Sequence, residues 1–93
     1  MNYDKKYSLE FTNVLKTLSK DKELLVEFMQ GILTPSEYRD LVMRWQIAKK
    51  LSNKENQRAV AGDLGVGIAT VTRGSRELQK ESSGLKKAIE FIK

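Results

Sequence analysis

A chain of 93 residues suffices for one domain, yet a single copy of that size buries only a thin core. It has no cysteine and no histidine, so thiolate nucleophiles, zinc sites of the usual kinds and imidazole proton transfer are absent, and neither a metal nor an enzymatic activity is expected. The 17 Lys and Arg outnumber 12 Asp and Glu, and the formal net charge of +5 favours a polyanionic partner.

Gly and Pro are sparse, strand-like alternation is hard to find, and Leu, Lys, Glu and Ala dominate, which predicts an all-α protein. Leu9, Phe11, Val14, Leu15 and Leu18 recur at helical spacing, giving a first helix from Ser8 to Leu18 with Ser8 as its N-cap. After the polar Ser19-Lys20-Asp21-Lys22, a second stripe runs through Leu24, Leu25, Phe28, Met29 and Ile32, with Gly31 as a plausible helix end. Thr34-Pro35-Ser36-Glu37 is the clearest start signal: a Thr N-cap, a Pro at the first helical position and a Glu that can return to the Thr amide.

The third helix runs to about Leu51 and is apolar on two sides, with Tyr38, Leu41, Val42, Trp45 and Ala48 on one and Met43, Ile47 and Leu51 on the other. In so short a chain the second layer is expected from another subunit; an ordinary core helix of a monomer is the alternative. A polar connector, Ser52 to Asn56, precedes helical signals around Val60, Ala61 and Leu64, and Gly65-Val66-Gly67 stops them. Helical spacing resumes from Ile68 to Leu78, a polar joint covers Lys80 to Gly84, and Leu85, Ala88, Ile89 and Ile92 form a last amphipathic helix. The sequence shows no internal repeat. It also has no apolar run long enough to span a bilayer and no apolar leader, so a cytoplasmic location is expected.

Counted from Gln57, the pair of short helices has Ala61 at the fifth place, Gly65 at the ninth and Val71 at the fifteenth, the pattern of a helix-turn-helix. Ala61 keeps the crossing close, Gly65 supplies the left-handed turn residue, and Val71 packs beneath the first helix. Gln57, Arg58, Ala69, Thr70, Thr72, Arg73 and Arg76 then form the outward surface, with Ile68 at the start of the second helix. Arg can pair bidentately with guanine, Thr can contact base edges or phosphate, and Ala permits close approach to the major groove. Gly67, beside Gly65, exposes backbone amides at a helix N-terminus where a phosphate could sit, or simply makes the turn flexible. Helices joined in this way also occur in proteins that only pack against protein.

Two stretches, Leu33-Thr34-Pro35-x-Glu37 and Leu64-Gly65-Val66-Gly67-Ile68-Ala69-Thr70-Val71-Thr72-Arg73-Gly74-Ser75, with Arg44 between them, closely resemble the Trp repressor family from Leu33 to Gln79. The resemblance implies about six helices in an intertwined homodimer: residues 1–51 as the dimerisation core, 57–79 as the reading head and 85–93 as the C-terminal helix, all in one DNA-binding domain. It implies a palindromic double-stranded operator as partner and L-tryptophan, a small amino-acid ligand, as corepressor.

Arg44 and Arg73 would flank the indole, and Arg73 would also pair the carboxylate. Backbone carbonyls near Gly31, Leu33 and Thr34 would take the ammonium, Gly74 would leave room for the ring, and Thr70 would sit nearby. Arg44 read alone is a solvated charge or an intersubunit ion pair, and Thr70 a phosphate contact or plain helix surface. Glu77 stands where tryptophan-binding members have a serine that helps hold the ligand ammonium, so it either pairs that ammonium or repels the carboxylate. Val42, Met43 and Trp45 replace smaller residues, the connector before Gln57 is one residue shorter, and Ala61 replaces a Lys used for backbone contact. The expected function is a ligand-responsive repressor of tryptophan-supply genes. The alternatives are a repressor answering another ligand or none, and a helical protein-interaction module.

Overall fold

The computed structural model describes residues 2–92, with side chains from Asp4 onward. Six helices follow one another: α1 Asn2–Leu18, α2 Lys22–Ile32, α3 Pro35–Ser52, α4 Gln57–Leu64, α5 Ile68–Gln79 and α6 Gly84–Ile92, with no strand among the described residues. None of these helices is long and apolar enough to cross a membrane.

The chain divides into two compact units, one ending at Tyr38 and the other starting at Arg39. In the first unit α1 starts earlier than the apolar pattern predicts, at Asn2, so Ser8 is an interior residue whose carbonyl accepts from the Thr12 hydroxyl at 2.8 Å and is not an N-cap. Nothing between Asn2 and Tyr7 breaks a helix, and Asp4 in the first turn complements the helix dipole, so the polar lead-in stays helical. Asp21 caps α2 by accepting from the Leu24 amide at 3.1 Å, and the helix passes through Gly31 to end at Ile32. Phe11 and Phe28 stack in a tilted arrangement with ring centroids 6.1 Å apart. No described residue of this unit is fully buried, and Tyr7 and Leu9 are 61% and 58% exposed.

The predicted capping box opens α3: the Thr34 amide donates to Glu37 Oε1 at 2.8 Å and the Glu37 amide to Thr34 Oγ1 at 3.1 Å. At its far end the Glu55 amide donates to the Lys50 carbonyl and the Lys54 amide to that of Leu51, the two bonds of a Schellman cap. The left-handed position of that cap is occupied by Lys54, with φ of 66°, where a Cβ is unfavourable. Lys54→Gly should therefore raise stability by about 0.5–1 kcal/mol, the relief of strain exceeding the added freedom of the unfolded chain. A thermal melt should show a gain of a few degrees, and a lower midpoint would contradict the left-handed assignment.

In the second unit Ile47, Val60 and Val71 form the buried core, with Leu51, Ala61, Leu64 and Val66 packed around them. α6 begins one residue before the predicted Leu85, because buried Ser83 caps it through a 3.1 Å bond from the Lys86 amide to its hydroxyl.

Candidate ligand pocket and nucleic-acid interface

Asn56 caps α4 by accepting from the Ala59 amide at 2.8 Å. Gly65 then ends that helix with φ of 65°, the conformation foreseen for it, and the Gly65 and Val66 amides both return to the Ala61 carbonyl. The chain reverses at once, so Val71 of α5 drops onto Val60 of α4 and both are wholly buried. A further tie between the helices runs from the Thr72 hydroxyl to Gln57 Oε1 at 2.8 Å.

That bond sorts the residues assigned to DNA contact. Gln57 and Thr72 are half-buried and occupied with each other, whereas Arg58, Gly67, Ile68, Ala69, Thr70, Arg73 and Arg76 are exposed. Gly67 has an ordinary extended backbone with φ of −70°, and a Cβ there would meet nothing within 4 Å. The chain's own packing thus does not require glycine at this place. Gly67 leaves the backbone at the start of α5 uncovered by any side chain of its own.

The flank of α5 that carries Thr70 and Arg73 also borders a pocket of about 450 Å³, within the range of small-molecule sites. Arg39, Asp40, Met43, Arg44 and Ile47 of α3 line it, together with Val66 of the turn, Thr70, Arg73, Gly74 and Glu77 of α5, and Leu85 of α6. On α5 these positions recur every three or four residues and therefore share one face. Met43, Ile47, Val66 and Leu85 supply apolar surface. Arg39, Arg44 and Arg73 supply guanidinium groups that have no ion-pair partner among the described residues. Such a lining suits an apolar, planar body carrying a carboxylate, since guanidinium stacks on rings and grips carboxylates in a fork.

Arg44, Thr70, Arg73, Gly74 and Glu77 thus come together as expected, while Gly31, Leu33 and Thr34 belong to the first unit and are not among the pocket's lining residues. Gly74 has a packing role as well as a pocket position, because a Cβ there would lie 2.8 Å from Cγ2 of Ile47. Sequence reasoning missed Arg39, Asp40, Ile47, Val66 and Leu85 as lining residues, and placed Met43 only beside the site. The spacing of Asp40, Arg44 and Ile47 on one face of α3 was the available signal for Asp40 and Ile47. Among the described residues no cluster of acidic side chains could hold a metal ion.

A family model described as Trp repressor protein matches residues 7–92. A Trp operon repressor homolog of Xylella fastidiosa (strain M23) is 36% identical over 94 residues, covering 98% of this chain and all of that protein. A homolog of Vibrio parahaemolyticus is 37% identical over 75 residues, or 80% of this chain and 70% of its own length. One of Vibrio cholerae is 46% identical over 59 residues, 62% of this chain and 57% of its own.

Proposed function

The chain belongs to the Trp repressor family, and from that premise we propose that it is a ligand-responsive transcriptional repressor that binds a palindromic operator as a homodimer. One observation carries this reading: Thr70 and Arg73 lie on the exposed surface of α5 and also line the pocket. A ligand held against that wall contacts the helix that would enter the major groove, so occupancy can shift the population of head orientations competent for DNA.

L-tryptophan is the proposed corepressor. Arg44 and Arg73 flank its ring and Arg73 grips its carboxylate. Arg58, Ile68, Ala69, Thr70 and Arg76 face the operator, with Gly67 open toward a phosphate and the Gln57–Thr72 pair bracing the reading surface. The protein is no enzyme in this reading, and it acts in the cytoplasm where DNA and free tryptophan are found.

Burial supports the homodimer. Among the described residues Ile47, Ala48, Val60, Val71 and Ile89 are the buried apolar side chains, whereas Tyr7, Leu9, Ile32, Leu41 and Val42 each expose at least 41% of their surface. A second copy covering these faces gives α3 the second layer its two apolar stripes require.

The test is selection of duplexes from a pool of random palindromes, followed by titration of the winner at several salt concentrations. A shared palindrome and an affinity falling steeply with salt are expected. Arg58→Ala should weaken operator binding about 10- to 100-fold, as expected for loss of a base or phosphate contact, while L-tryptophan affinity is unchanged. Sequence-blind, salt-insensitive binding would favour a protein-interaction module instead.

A further inference from the structure

Among the described residues one ion pair joins α4 to α3: Lys50 Nζ lies 3.7 Å from Oδ2 of Asp63. The same ammonium is 3.6 Å from Oε1 of Glu55 in the connector, so a single cation is shared by two carboxylates. The Glu77–Lys80 pair at 3.0 Å, by contrast, spans a single turn at the end of α5. Lys50 sits in the last turn of α3, where the helix dipole favours a cation, and its carbonyl accepts from the Asn53 and Glu55 amides, which fixes the base of the side chain. Asp63 stands in the last turn of α4, where the dipole disfavours an anion, and that turn has no basic residue to offset it. Its charge is answered from α3 instead.

We propose that Lys50 is a positioning residue for the reading head: its shared ammonium clasps α4 to the end of α3 and narrows the range of head orientations before any ligand binds. The consequence for DNA rests on the repressor reading above. Ile47 of α3 also packs with Val60 of α4, but apolar contact is non-directional, whereas the clasp ties one point of α4 to one point of α3. The Gln57–Thr72 bond and the Val60–Val71 contact join α4 to α5, so holding α4 holds the helix that would read DNA. The Lys50 side chain is 25% exposed but those of Glu55 and Asp63 are 35% and 58%, so water screens the clasp and it biases the head without locking it. A ligand in the pocket touches both α3 and α5 and restrains the same helices by other contacts, so the clasp matters most in its absence.

Hydrogen exchange of the ligand-free protein, read for α4 against α6, tests the clasp in the wild type, Lys50→Met, Asp63→Asn and the double variant. Each single substitution should speed exchange in α4 by up to about fivefold, the ceiling for a surface pair, with α6 unchanged. The double variant should be no faster than Lys50→Met, because both changes break the same pair. Unchanged α4 exchange in both single variants, or a double variant whose gain is the product of the two, would overturn the clasp. Operator anisotropy with and without L-tryptophan then separates positioning from plain charge. Lys50→Met removes a positive charge and Asp63→Asn a negative one, so a purely electrostatic role would move operator affinity in opposite senses and leave the tryptophan effect as in the wild type. The clasp predicts that both variants enlarge the tryptophan effect, by about two- to fivefold, since the unliganded head has more orientations to lose. Opposite shifts with an unchanged tryptophan effect would overturn the positioning role. Faster α4 exchange in the variants of a protein that binds no operator would leave the clasp standing and overturn the repressor reading.

Discussion

Replacing Arg73 by alanine is expected to lower affinity for L-tryptophan about 30-fold or more and to remove most of the ligand's effect on operator binding. Arg73 is exposed on α5, lines the pocket and has no ion-pair partner among the described residues, so its guanidinium is free for both tasks. Loss of a charge-assisted, bidentate contact with a carboxylate is worth about 2–3 kcal/mol, which sets the size of the first effect. The second follows because Arg73 is the side chain through which a bound ligand would act on α5, so its loss uncouples the pocket from the reading helix. Calorimetry with tryptophan and anisotropy with labelled operator would measure the two. Intact values for both would remove Arg73 from the site.

Val71→Ala is expected to have the largest effect on stability. Val71 is wholly buried, and it packs with Val60 and Ile47 where α4, α5 and α3 supply one residue each to a small core. Deleting two methyl groups forfeits about 1.6 kcal/mol of transfer free energy, and the residual cavity raises the cost to about 2–3 kcal/mol. For a domain of this size each kcal/mol corresponds to about 4–8 °C, so a drop of about 10–20 °C in the melting midpoint is expected at fixed protein concentration. A drop under about 3 °C would mean that the valine is not packed as described.

The parts of the fold that were legible in the sequence are those set by neighbours along the chain. Thr34, Pro35 and Glu37 announce the start of α3 because both capping bonds span three residues. Gly65 announces the turn because its φ of 65° suits few other residues. Lys54 adopts nearly the same φ without any signal, since the left-handed position there is imposed by the Schellman cap. Ser83 sat unnoticed in a polar joint because Lys86, and not an acidic residue, follows three places later, so no capping box marked it.

The pocket was legible only in part, and for a different reason. Arg44, Thr70, Arg73, Gly74 and Glu77 were identified through family resemblance, while Val66 and Leu85 reach the same cavity only once α5 and α6 have packed. The contact between Gly74 and Ile47 joins residues of α5 and α3 and has no periodicity to betray it. The Glu77–Lys80 pair, by contrast, is a local i,i+3 spacing, and what it means depends on which way that face of α5 points.

The most direct test of the central claim is fluorescence anisotropy of a selected palindromic duplex titrated with the wild-type protein, with and without saturating L-tryptophan, at one fixed salt concentration. Tryptophan should tighten binding at least fivefold, and the duplex should tighten tryptophan binding by the same factor. Superimposable curves in the two conditions would contradict a coupling of pocket to reading head through α5.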